Sequence, residues 1–142
     1  MKISELMTDQ VVTVSQDEAV TTAARLLKRH NVGALPVCDG NGKLRGIVTD
    51  RDIVLRCIAA GENPHETRIS EIMSRSVVTA STDDSIDKAA RLMSEDQIRR
   101  LPIMDNGKVV GMVALGDMAR NCTCGMEAAS ALSEISSNIR RR

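Results

Sequence analysis

The chain has 142 residues, with 19 Lys and Arg against 19 Asp and Glu, and it contains no Phe, Tyr or Trp. Balanced charge excludes a global attraction to nucleic acid or anionic lipid, and the missing aromatic rings exclude the stacking surfaces that bind single-stranded nucleic acid. With 42% hydrophobic residues, the chain can bury about two thirds of its unfolded surface in one shared core.

Two further patterns bear on location. No apolar run approaches the roughly 20 residues that span a bilayer, and the opening MKISELMTDQ lacks the apolar stretch of a signal peptide. We therefore predict a cytoplasmic protein with no membrane partner and no nucleic-acid partner.

The sequence contains an internal repeat. ISELMTDQVVTVSQDEAVTTAARLL returns as ISEIMSRSVVTASTDDSIDKAARLM, and LPVCDGNGKLRGIVTDRDI returns as LPIMDNGKVVGMVALGDM. Because the period exceeds the roughly 20 to 50 residues of solenoid repeats, each copy is predicted to be a small α/β unit that packs against its twin. The predicted organisation is a first repeat at 1–60, a linker at 61–68, a second repeat at 69–122 and a tail at 123–142.

The first copy begins with a predicted strand and helix. Val11–Val14 is rich in β-branched residues, and Ser15 with Glu18 has the spacing of a capping box that would start a helix there. The helix is expected to end near His30. Its predicted apolar face consists of Val20, Ala23, Ala24 and Leu27.

A hairpin and a second helix complete the first copy. Leu35–Cys38 and Leu44–Thr49 are predicted as antiparallel strands, because Asp39–Lys43 between them supplies the Gly and Asn residues of a tight turn. The next helix opens at Asp50, with acidic residues in its first turn. The predicted order is β-α-β-β-α.

The second copy repeats this order. Strands are predicted at Val77–Thr79, Leu101–Met104 and Val109–Ala114, with a helix over Ile86–Asp96 and another beginning near Asp117. Beyond the repeat, a tail helix is predicted from an apolar stripe formed by Ala128, Leu132, Ile135 and Ile139.

The paired pattern resembles a tandem cystathionine beta-synthase (CBS) domain pair, or Bateman module. Leu-Pro precedes each hairpin, and GIVTDRD follows the first hairpin at Gly46–Asp52. The resemblance covers residues 1 to about 122. It implies a mixed α/β (α+β) pair related by pseudo-twofold symmetry, which often forms a homodimer and binds adenosine-containing ligands in clefts between the copies.

Thr49 and Asp52 are the principal candidate ligand-binding residues. Thr49 ends a strand and Asp52 lies in the first turn of the next helix, where backbone amides point outward. A carboxylate accepts from the two ribose hydroxyls, and a threonine hydroxyl donates to phosphate; the matching residues of CBS-like sites have these roles. The alternative is that Asp52 only caps the helix and Thr49 only ends the strand.

The second copy departs from this pattern. Asp117 keeps the ribose position, but Ala114 replaces the threonine hydroxyl, and Arg99 and Arg100 precede the second Leu-Pro. Comparable basic residues contact phosphate in nucleotide-binding CBS proteins. We expect one of these arginines to serve a phosphate, either of the same ligand or at the second site; the alternative is a solvated cationic end.

The adenine would be enclosed by apolar side chains and backbone amides, since no aromatic ring is present. The candidate lining residues are Val12, Thr13, Ala34, Pro36, Val78, Thr79 and Pro102.

Other chemistry lacks support in the sequence. It contains no phosphate-binding P-loop and no acid–base carboxylate pair, and Cys122 and Cys124 belong to no four-ligand zinc spacing. We therefore predict no enzyme activity, no metal and no required cofactor. The predicted function is a regulatory module that binds AMP, ADP or ATP and signals by conformational change to an unidentified protein target. The alternatives are an S-adenosylmethionine sensor and a dimeric interaction scaffold with vestigial clefts, and the intact Gly46–Asp52 motif favours nucleotide sensing.

Overall fold

The computed structural model describes residues 1–8, residues 11–120 and residue 135. The chain divides into two compact units. The first unit is Val12–Val77, and the second unit contains the described residues of Met1–Val11 and Val78–Arg142. Each unit therefore includes the opening segment of the other sequence repeat. The predicted tail helix lies outside the described residues except for Ile135, which is buried in the second unit.

The first unit has the predicted β-α-β-β-α order. Its elements are β1 Val14–Ser15, α1 Val20–His30, β2 Ala34–Cys38, β3 Leu44–Thr49 and α2 Asp50–Asp52, which continues as a π-helical segment over Ile53–Ile58. A short 3-10 turn at Ile69–Glu71 closes the unit.

The second unit has the same order after its own 3-10 turn at Ile3–Glu5. Its elements are β4 Ala80–Ser81, α3 Ile86–Asp96, β5 Arg100–Asp105, β6 Lys108–Ala114 and α4 Leu115–Ala119. The mixed α+β fold class and the duplicated unit are confirmed. No helix in the described part of the chain combines the length and hydropathy that a membrane crossing needs.

Each unit contains a three-stranded sheet in chain order. In the first unit β1 runs parallel to β2, with Val14 opposite Val37, and β2 runs antiparallel to β3, with Ala34 opposite Thr49. The second unit repeats this pairing, with Ala80 opposite Ile103 on the parallel side. One end of each sheet therefore leads directly into the last helix of its unit.

The hairpin between β2 and β3 forms as predicted. Gly42 has a φ of +78°, a conformation that glycine adopts without steric cost. The Asp39 carboxylate accepts hydrogen bonds from the amides of Lys43 (3.0 Å) and Asn41 (2.9 Å). Hydrogen bonding to the charged form, led by the Lys43 amide, holds the pKa of Asp39 below its ordinary value.

The predicted capping box at Ser15 is wrong. Ser15 Oγ accepts from the Asp17 amide (3.3 Å) inside a turn, and α1 begins only at Val20. The first amides of α1 bond instead to distant carbonyls, Val20 N to Thr67 O (2.9 Å) and Thr21 N to Pro64 O (3.2 Å). Tertiary contacts therefore satisfy the unpaired helix donors and set the start of α1.

A serine does cap the equivalent helix of the second unit. Ser85 Oγ accepts from Lys88 N at 3.1 Å at the start of α3. The corresponding residue of the first unit is Ala19, whose side chain has no oxygen to accept such a hydrogen bond. The cap was thus a feature of the second copy only.

Three other predictions are wrong. The strands expected at Val11–Val14 and Val77–Thr79 begin later, at Val14 and Ala80, because only from there do they pair with β2 and β5. Ala24, expected on the apolar face of α1, is exposed.

Each unit has its own hydrophobic core. In the first unit the apolar face of α1 packs against β2 and the segment that continues α2. The buried residues are Val14, Val20, Ala23, Leu27, Leu35, Val37, Val48, Ile53, Cys57, Ile69, Ile72 and Met73. In the second unit the buried residues are Ile3, Ala80, Ile86, Ala89, Ala90, Met93, Leu101, Ile103, Val113, Leu115, Met118 and Ile135. Each core thus includes the opening isoleucine of the other repeat.

The exchanged opening segments also bond to the last strand of each sheet. Ile47 and Ser74 exchange two backbone hydrogen bonds of 2.9 Å in the first unit. A Cβ atom on Gly46 would lie 2.5 Å from Ser74 O. The backbones meet too closely for any side chain at this position, so glycine is required there.

We expect Gly46→Ala to destabilise the protein by about 1–3 kcal/mol, because the added methyl group overlaps a backbone carbonyl. The measurement is urea unfolding followed by far-ultraviolet circular dichroism. Gly40→Ala is the matched control in the same unit, since nothing lies within 4 Å of a Cβ at Gly40. Equal unfolding midpoints for the two variants would contradict the close approach.

Candidate functional site

The first candidate site lies where β3 ends and α2 begins, and we call it the first junction. Thr49 Oγ1 accepts a hydrogen bond from Asp52 N at 3.0 Å, and Asp52 Oδ2 accepts one from Thr49 N at 2.9 Å. This reciprocal pair is a capping box. Asp52 is only 9% exposed, so the cap fixes a carboxylate that would be costly to bury unpaired.

Capping leaves part of the pair available. The Thr49 hydroxyl accepts through its oxygen, and its hydrogen can still donate. Asp52 Oδ1 has Arg56 Nε at 3.8 Å as its ion-pair partner, which is beyond hydrogen-bond distance. Arg56 is held aside because its Nη1 donates to Ile72 O at 3.2 Å. One hydroxyl donor and one carboxylate oxygen therefore remain at the first junction.

The second junction lies where β6 ends and α4 begins. Asp117 Oδ2 accepts from Ala114 N at 3.2 Å, as Asp52 does from Thr49. Ala114 has no hydroxyl to complete the box. Arg120 Nη2 lies 2.5 Å from Asp117 Oδ1. A cationic side chain therefore pairs with this oxygen, whereas its counterpart at the first junction, Asp52 Oδ1, is available.

Arg99 and Arg100 lie at the second junction. Arg100 begins β5 directly opposite Ala114, and Leu115 N donates to Arg99 O at 2.8 Å. Both side chains are exposed. The two arginines therefore accompany Asp117 within one unit, and the first unit has Gly33 and Ala34 in their places.

The predicted apolar lining residues lie in both units, at the end of each sheet that carries its junction. Ala34 pairs with Thr49 and Pro36 is buried two residues further along β2. Because β1 is parallel to β2, the residues before β1 extend toward this end of the sheet. Val12 and Thr13 are those residues in the first unit; Val78, Thr79 and Pro102 have the equivalent places in the second unit.

Sequence reasoning did not select Arg56 or Arg120. Each follows its aspartate on the same helix, by four residues for Arg56 and by three for Arg120. These are the spacings at which oppositely charged side chains pair on a helix. This spacing rule would have found both arginines. It would not have shown that Ile72 O holds Arg56 away from Asp52.

The described residues include no group of three or more His, Cys, Asp or Glu side chains placed to hold a metal ion. Cys57 is buried, with its Sγ 3.6 Å from Glu62 O. Cys122 and Cys124 lie outside the described residues.

The sequence model of the CBS domain matches residues 3–58 and 69–123. These matches contain both repeats and both junctions. The chain belongs to the CBS domain family, and it is a tandem CBS pair.

Similar proteins agree with this assignment. The CBS domain-containing protein YhcV of Bacillus subtilis is 47% identical over 134 residues, 94% of each chain. The structure of Hypoxic Response Protein I, with two coordinated zinc ions, is 33% identical with a TM-score of 0.79 and covers 85% of this chain and 98% of that chain. The CBS domain pair of protein MJ0100, in complex with 5'-methylthioadenosine and S-adenosyl-L-methionine, is 33% identical with a TM-score of 0.76 and covers 84% of this chain and 94% of that chain.

The difference between the junctions predicts opposite effects of exchanging their N-cap residues. Thr49→Ala removes a cap oxygen and is expected to cost about 1 kcal/mol of unfolding free energy. Ala114→Thr adds that oxygen, and Ala114 (φ −103°, ψ 149°) has backbone angles near those of Thr49 (φ −119°, ψ 164°). This second variant should be more stable than the wild type. Urea unfolding of both variants measures the effect, and a loss of stability in both would contradict it.

Proposed function

We propose that this CBS pair is a regulatory module that binds an adenosine-containing ligand through the first junction. The observation that carries the proposal is the Thr49–Asp52 pair, which keeps one carboxylate oxygen and one hydroxyl hydrogen available in a fixed position. Two vicinal ribose hydroxyls are suitable donors for the Asp52 carboxylate, and a phosphate oxygen is a suitable acceptor for the Thr49 hydroxyl. The first amides of α2 are already bonded, Asp50 N to Gly33 O and Arg51 N to Asp50 Oδ1, so binding would depend on the two side chains.

Two observations support this ligand class. The MJ0100 pair was crystallised with two adenosine compounds, so a related fold accepts the adenosine moiety. Arg99 and Arg100 add positive charge near Asp117, so at the second junction a phosphorylated nucleoside such as AMP, ADP or ATP would be favoured over S-adenosylmethionine, which is a cation at its sulfur. The lining candidates, Val12, Thr13, Ala34 and Pro36 in the first unit, would contact the base by van der Waals packing.

Regulation would follow from differential affinity. A ligand that binds one conformation of the module more tightly shifts the population toward it, by no more than the difference in binding free energy. A protein target that recognises the same conformation would then respond to the concentration of the nucleotide.

Ligand binding is tested with Asp52→Asn, which keeps the shape and part of the cap but removes the charge. We expect the affinity for AMP to fall by about 10-fold or more, since a hydrogen bond to a charged group is worth about 1.5–3 kcal/mol. Equilibrium dialysis at 260 nm suits this chain because it has no Trp, Tyr or Phe. AMP, ADP, ATP and S-adenosylmethionine are compared in parallel.

Asp50→Asn is the matched control. Asp50 is exposed in the same helical turn. The Asp50→Asn variant has the same change in net charge as Asp52→Asn and should bind the ligand like the wild type. Binding that is equally sensitive to both substitutions would indicate a general charge effect. Absence of binding by the wild type at millimolar concentration of all four compounds would reject the function.

We also propose that the module forms a homodimer through the π-helical segment Ile53–Ile58 that continues α2. Val54, Leu55 and Ile58 are 55%, 49% and 55% exposed, and they lie one turn or less apart on the segment that continues α2. Large apolar side chains grouped in this way are typical of interaction surfaces.

A charge at the centre of this group should separate the subunits. We expect Leu55→Glu to convert a dimer into a monomer, as measured by light scattering on a sizing column at micromolar protein. Ala60→Glu is the control, because it places the same charge on an exposed residue just beyond the segment. A wild-type protein that is monomeric under these conditions would contradict the dimer.

A further inference from the structure

The two junctions differ most in the arginine that follows the aspartate. At the first junction Arg56 Nε is 3.8 Å from Asp52 Oδ1, and its Nη1 donates to Ile72 O. At the second junction Arg120 Nη2 reaches Asp117 Oδ1 directly. The carboxylate oxygen that the first junction presents is therefore covered at the second.

The covering residue belongs to the second repeat alone. Alignment of RDIVL at Arg51–Leu55 with GDMAR at Gly116–Arg120 places Leu55 opposite Arg120. Leucine cannot pair with a carboxylate, so the first repeat lacks this contact and has only the longer Arg56–Asp52 pair of 3.8 Å. The Arg120 side chain is 78% exposed, and such a pair is weak enough to be exchanged for another partner.

We propose that Arg120 is an internal competitor for the ribose-binding oxygen of Asp117, and that it keeps the second junction in a low-affinity state. The inference rests on the proposed function. Ribose hydroxyls would compete with the guanidinium for Asp117 Oδ1. An exposed ion pair contributes little free energy, so the competition makes the two sites unequal rather than abolishing one of them.

A competing role can be separated from a phosphate-binding role for the same side chain. If Arg120 competes, its removal strengthens binding of adenosine, which has no phosphate, as well as binding of AMP. If Arg120 instead binds phosphate, its removal weakens AMP and leaves adenosine unchanged. Adenosine is therefore the deciding probe.

The experiment isolates the second junction in an Asp52→Asn background. Equilibrium dialysis measures adenosine and AMP binding before and after adding Arg120→Leu, which copies the first repeat, or Arg120→Gln, which keeps polarity. We expect either variant to bind both compounds about 2- to 5-fold more tightly, the range expected from removing an exposed ion pair. Adding Asp117→Asn to either variant should cancel the gain.

Charge and salt provide the controls. Arg91→Leu removes one exposed arginine of α3 in the same unit and should leave binding unchanged. Raising the salt concentration screens an exposed ion pair, so adenosine binding should rise with salt when Arg120 is present and stay flat in Arg120→Leu.

The possible failures are distinguishable. Wild-type binding that depends on Asp52, combined with no gain from Arg120→Leu or Arg120→Gln, would overturn the competitor role and leave the proposed function standing. A loss of AMP binding alone would assign Arg120 to phosphate and also overturn it. Absence of adenosine and AMP binding in the wild type and in every variant would reject both.

Discussion

Each unit depends on a backbone bridge between the opening segment of one repeat and the last strand of the other. Ile47 bonds to Ser74 in the first unit and Met112 bonds to Thr8 in the second. The bridges require Gly46 and Gly111, because a Cβ at either position would lie within 2.7 Å of a carbonyl oxygen. Each core includes the opening segment of the other repeat, so neither repeat alone contains all the residues of its core.

The same bridge sets the chemistry of the first junction. It fixes β3 two residues before Thr49, and it brings Ile72 O within reach of Arg56. The arginine bonds to that carbonyl instead of closing on Asp52. Packing of the exchanged segment thus keeps one Asp52 oxygen available, whereas Arg120 covers its counterpart on Asp117. A duplicated sequence has in this way given two junctions of unequal character.

Under the proposed function, the two junctions would bind the ligand at different concentrations. A site with a pre-placed carboxylate and hydroxyl would fill first, and a site that must displace an ion pair would fill at higher concentration. The responding range of the module would then be widened without any change of fold. In the proposed homodimer, the exposed apolar residues of the segment that continues α2 would contact the second copy.

The sequence by itself determined the duplication, the β-α-β-β-α order, the CBS family and the position of Thr49 and Asp52 at one strand–helix junction. These features follow from repeat periodicity, turn chemistry and motif spacing, which are local properties. Only the tertiary structure decided where α1 starts, since its first amides bond to Thr67 O and Pro64 O instead of to the predicted Ser15 cap. It also decided that the opening segments are exchanged between units, and that Ile72 O holds Arg56 away from Asp52. Those outcomes depend on contacts between residues far apart in the chain, which no local pattern records.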